Sequence, residues 1–164
     1  MQTDLPRIDV GVDAYQVSPE PVLLTAELRG ALALCLHDAR RSVGGLLHLR
    51  TDGAGGRPSE LTDTTLSAVL VVLARFKRAV LGNAARRDEL QARIVAHAPP
   101  TDAAQPSATL VDLIRADLAD GRWECAAAML REGAAVRVNF EPVGGRLWIC
   151  GPNDAVPRLR QGRL

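Results

Sequence analysis

The chain has 164 residues, of which 47% are apolar and 24% charged, and a net charge of +1. That length and apolar content support one domain with one sizeable core, and the near-neutral balance gives no sign of a nucleic-acid-binding tail or an acidic partner surface. Aromatic residues make up only 3%, which argues against a base-stacking platform for single-stranded nucleic acid.

Lys77 is the only lysine, so the basic residues are almost all arginine, a bias that reflects genome composition before function. Cys35, Cys125 and Cys150 are scattered, odd in number and form no Cys-x-x-Cys pair. A reducing, cytoplasmic location is therefore expected. The N-terminal stretch MQTDLPRIDVGVDAYQVSPEP has no basic start followed by an apolar run, so no secretory signal is expected. The longest apolar segment, Ala68 to Ala74, stops at Arg75 and is too short to cross a bilayer.

Ile8 to Tyr15 reads as a short strand, and the prolines of Ser18 to Pro21 break it. Val22 to Leu36 is an apolar run, His37 to Ser42 a polar turn, and Val43 to Leu49 a second apolar run. This pattern predicts a hairpin. In its first arm Leu32, Leu34 and Leu36 alternate with Ala31, Ala33 and Cys35. One face is bulky and the other small, so something must approach the small face closely. Thr51 to Glu60 is a Gly-rich loop without the context of a phosphate-binding loop. Thr62 to Leu81 is the clearest helix: Thr62 or Asp63 caps it, Leu66, Val69, Leu70, Leu73 and Phe76 fall at helical spacing, and Gly82-Asn83 stops it.

Alternation from Leu90 to Ala96 predicts a strand. Pro99 to Ser107 reads as a loop, Thr109 to Asp120 as an amphipathic helix, and Trp123 to Glu132 as a further helix after Gly121. Ala134 to Phe140 and Arg146 to Cys150 flank the turn Glu141 to Gly145 and make a terminal hairpin. The tail from Gly151 is expected to be loose. Strands and helices mix without strict alternation, which favours an α+β fold. A domain over residues 1–150 with a tail over 151–164 is expected.

The first hairpin carries a family similarity. It runs Thr25-Ala26-Glu27-Leu28-Arg29-Gly30-Ala31, continues through Asp38, and leads into Gly44-Gly45-Leu46-Leu47-His48. This resembles the chemoreceptor glutamine deamidases of the CheD family, which show a threonine, then Leu-Gly-Ser-Cys, an apolar strand ending in Asp, a turn and Gly-Gly-x-x-His. Further blocks agree: Leu61-Thr62-Asp63, the segment from Gly82 to Ala98, and the last hairpin from Val138-Asn139-Phe140-Glu141-Pro142 to Ile149. The similarity extends from Val22 to Cys150. It implies a layered α/β sandwich of CheD type, with mixed β-sheets and flanking helices. It also implies no cofactor, and a protein partner such as a chemoreceptor cytoplasmic region or a CheC-like protein.

In that register Thr25 matches the family threonine, His48 the catalytic histidine, and Ala31 the nucleophilic cysteine. The family's Gly-Gly-Ala has become Ala96-His97-Ala98, and its Asp-Leu-Gly-Gly before the last hairpin is missing after Gly133. The family reaction needs a thiolate to attack a carboxamide and a histidine to move protons. An alanine methyl cannot attack, so the resemblance implies an inactive member that binds a partner in chemotaxis or related signalling. Cys35 is the alternative nucleophile with His48, and would make the chain an active cysteine amidohydrolase. Four strand residues put it about 13 Å from Ala31. If His48 sits against Ala31, it cannot also serve Cys35 without a register change. His37-Asp38 reads as a solvated turn, His97 as a polar strand residue, and Arg40-Arg41 and Arg86-Arg87 as solvated faces. No His, Cys and acidic grouping has metal-ligand spacing, so no metal is expected.

Overall fold

The computed structural model describes residues 4–50, 63–83, 90–98, 104–151 and 154. Its elements run β1 (Arg7–Asp9), β2 (Ala14–Ser18), β3 (Leu23–Leu28), β4 (Ala31–Asp38), β5 (Val43–Arg50), α1 (Asp63–Gly82), β6 (Leu90–Ala98), α2 (Ala104–Asp120), β7 (Glu124–Glu132), β8 (Val136–Glu141) and β9 (Arg146–Cys150). The strands form two sheets, one in the order β1-β3-β8-β9 and one in the order β2-β5-β4-β6-β7. Both are mixed: β1 runs parallel to β3 and β6 parallel to β7, while the other pairs are antiparallel.

Alternation in β4 explains the layering. Leu32, Leu34 and Leu36 join Leu73, Phe76, Val80, Leu110, Ile114 and Leu118 in one buried cluster, so this face lies under the two helices. Ala31, Ala33 and Cys35 join Leu24, Ala26, Leu28, Val138 and Phe140 in a second cluster, so the small face lies against the other sheet. The order is sheet, sheet, helices, an α+β sandwich. The close approach expected over the small face of β4 is the packing of one sheet on the other.

Gly44 and Gly45 open β5 for steric reasons. A Cβ on Gly44 would collide with the Leu36 carbonyl. A Cβ on Gly45 would lie 2.7 Å from the Gln16 carbonyl oxygen and 2.8 Å from Phe76 Cε2. Gly45 lets β2 and α1 close on β5, and Gly44 leaves room for the Leu36 and Pro142 carbonyls.

Helix α1 buries Val69, Leu73, Phe76 and Val80, a stripe at i, i+4, i+7 and i+11. Leu70, expected in that stripe, is exposed instead, because it lies about 100° around the helix from Val69. Helix α2 buries Leu110, Ile114 and Leu118 and begins at Ala104, inside the expected loop, with Pro106 in its first turn. Lys77 Nζ bridges the helices to Asp117 Oδ2 at 2.5 Å.

Three other expectations change. The strand read from Ile8 to Tyr15 is two strands in different sheets, separated by a turn in which Asp13 has φ 59°. The first arm of the hairpin divides at Arg29-Gly30, where Gly30 has φ 55° and takes the chain from one sheet to the other. Trp123 to Glu132, read as a helix, is mostly strand β7. Its Ala-rich run favours helix locally, but parallel pairing along β6 overrides that preference. The Gly-rich loop at 51–60, Arg86-Arg87 and almost all of the 151–164 tail lie outside the described residues.

Candidate functional site

The expected site residues come from three strands. β4 supplies Ala31 and Cys35, β5 supplies His48, and β3 in the other sheet supplies Thr25. The β4–β5 register sets Ala31 opposite Arg50, Ala33 opposite His48 and Cys35 opposite Leu46. His48 therefore faces Ala33 across the strand pair. Ala31 and Cys35 are both diagonal neighbours of His48, at about 7–8 Å in a regular antiparallel pair. Strand spacing alone thus does not separate them as partners for His48.

Burial does not separate them either, for Ala31 is as buried as Cys35. Cys35 is only 2% exposed, and desolvation by that burial raises its thiol far above the ordinary range, with the nearby Arg93 opposing the shift. A thiol held protonated is a poor nucleophile.

His48 is also buried, at 3% exposure. Its Nδ1 lies 2.9 Å from the Val10 carbonyl oxygen. A carbonyl only accepts, so Nδ1 carries a proton, and in the neutral imidazole Nε2 then holds the lone pair. Nε2 is buried and has no hydrogen-bond partner among the described residues. An oriented imidazole with an unengaged Nε2 has the form of a general base beside an absent acid.

Thr25 reaches this arrangement through its backbone. Its hydroxyl donates to the Asp9 carboxylate. Its side chain lies on the face of β3 opposite Leu24, Ala26 and Leu28, away from Ala31. The Thr25 carbonyl accepts from the Val10 N–H at 2.8 Å, and the Val10 carbonyl holds His48. The group that orients the imidazole is thus the Val10 carbonyl. Sequence reading missed it, because a backbone acceptor has no residue signature. A cavity of about 520 Å³ opens beside these groups and is lined by Arg7, Asp9, Thr25, Glu27, His48 and Arg137, among others.

The remaining histidines are structural. Asp38, expected in a solvated turn, is fully buried and accepts from the N–H groups of Arg40 and Arg41 at 3.0 Å each. His37 Nδ1 donates to the Pro142 carbonyl at 2.8 Å. His97 is buried. Its Nδ1 accepts from Gly30 N–H at 3.0 Å and its Nε2 donates to the Gly133 carbonyl at 2.9 Å. No group of three potential metal-ligating side chains occurs among the described residues, and no described helix is long and apolar enough to cross a membrane.

The fold and site define a two-sheet α+β sandwich with a buried histidine on the inter-sheet face. No protein-family model matches the chain. It is 33% identical over 73 residues to a probable chemoreceptor glutamine deamidase CheD of Haloarcula marismortui, covering 42% of this chain and 42% of that protein. It is 30% identical over 74 residues to a probable chemoreceptor glutamine deamidase CheD of Desulfitobacterium hafniense, covering 42% of this chain and 46% of that protein. The matched segment spans less than half the length of these curated relatives.

Proposed function

We propose that this chain is a CheD-like, cytoplasmic binding module of chemotaxis or related signalling that does not hydrolyse glutamine side chains. One observation carries the reading: His48 is held by the Val10 carbonyl with its Nε2 unengaged, while the position that resembles the family nucleophile is Ala31. The base-like geometry is present and the group it would activate is a methyl. Deleting the nucleophile of a comparable hydrolase costs on the order of a millionfold in turnover. The partner in this reading is a chemoreceptor cytoplasmic region or a CheC-like protein.

Two measurements test it. Chemoreceptor cytoplasmic fragments incubated with the chain should release no ammonia above background, and calorimetry should detect binding to one of those fragments or to a CheC-like protein. Ammonia release by the unmodified chain refutes inactivity, and failure to bind any of these proteins removes the module reading. Ala31→Cys should gain a measurable fraction of deamidase activity, since it restores a thiol at the position that resembles the family nucleophile.

A further inference from the structure

Helix α1 is apolar on two opposite sides. Its core stripe is Val69, Leu73, Phe76 and Val80. On the solvent side Ala68, Leu70, Val71 and Ala74 are exposed, with Leu70 at 39% and Val71 at 52%. An ordinary surface helix carries charge on that side. Here the first charged side chains on the exposed stripe are Arg75 and Arg78. Neither makes an ion pair or hydrogen bond among the described residues, whereas Lys77, between them, is bound to Asp117. Ser67, Val71, Ala74 and Arg78 fall at i, i+4, i+7 and i+11, the spacing of a helix–helix seam, and the small Ser67, Ala68 and Ala74 allow close approach.

We infer that the solvent face of α1 docks an amphipathic helix of a protein partner, whose apolar stripe covers Leu70, Val71 and Ala74 and whose carboxylates meet Arg75 and Arg78. The occupant follows from complementarity: the seam is helical in period and apolar along about two turns, and it ends in two cations without counter-charges among the described residues. This rests on the reading of the chain as a protein-binding module and assigns that module its surface. The surface lies on the helix side of the molecule, with a whole sheet between it and His48. Binding there is therefore separable from the chemistry of the site.

The test is calorimetric titration of the full chain with chemoreceptor cytoplasmic fragments and with a synthetic helix bearing a Leu/Ala stripe flanked by glutamates. Both should bind, more weakly as salt rises. Val71→Glu and the double variant R75E/R78E should each weaken binding by about tenfold or more. All these positions are exposed, so circular dichroism and melting should match the parent. A receptor fragment that binds parent and variants equally overturns this surface and leaves the module reading standing. Binding of the synthetic helix without any receptor fragment supports the surface and counts against the named partner. Failure of both probes overturns the inference. So does sedimentation of the parent, but not of R75E/R78E, with phosphatidylserine vesicles, because the face would then serve a lipid surface.

Discussion

At the scale of single residues, the contrast between Cys35 and His48 decides what chemistry is open to this chain. Both lie on the inter-sheet face and both are buried. Cys35 is neutral because its thiolate would be desolvated. Two consequences follow. Iodoacetamide should label Cys35 in the native protein far more slowly than Cys125 or Cys150, which are both half-buried, and should label it readily only after unfolding. Fast native labelling of Cys35 would revive it as a nucleophile. The raised thiol also makes stability depend on pH. In the unfolded chain the thiol ionises near its ordinary value of about 8.5, while in the fold it stays protonated. The contribution is therefore fully present below the unfolded value and declines as pH rises above it. The melting temperature should fall more steeply above that pH in the parent than in Cys35→Ala.

At the scale of elements, Gly44-Gly45 shows how a motif can be read correctly and for the wrong reason. In sequence the pair belongs to a Gly-Gly-x-x-His signature. In the fold Gly45 is the space into which β2 and Phe76 of α1 close, and Gly44 the space beside the Leu36 and Pro142 carbonyls. Gly45→Ala should destabilise by about 1–3 kcal/mol by overpacking, a fall of roughly 2–12 °C in melting temperature. An unchanged melting curve would show that the strand and ring yield. β7 teaches the converse. Its Ala-rich composition points to helix, and only parallel pairing with β6 makes it a strand. The helices α1 and α2 and the hairpins β4–β5 and β8–β9 were legible because their periodicity or turn chemistry is local.

At the scale of the whole molecule, His97 ties parts that no local pattern connects. It holds the β3–β4 turn at Gly30 and the β7–β8 turn at Gly133 from its place in β6. His97→Ala would leave a buried N–H and a carbonyl unpaired. It should cost about 1–3 kcal/mol, measured by chemical denaturation; a smaller loss would mean that the turns hold without it. In sequence this histidine reads only as a polar strand residue. The residue order alone settled the α+β class, the small face of β4, and the alanine standing where the resemblance places a nucleophile, since alternation and spacing are properties of consecutive residues. Three things needed the assembled fold: that His48 opposes Ala33, that the Val10 backbone carbonyl orients it, and that α1 leaves an apolar face uncovered among the described residues. Each depends on register between strands or on packing between layers, and those are set by contacts among residues far apart in the chain.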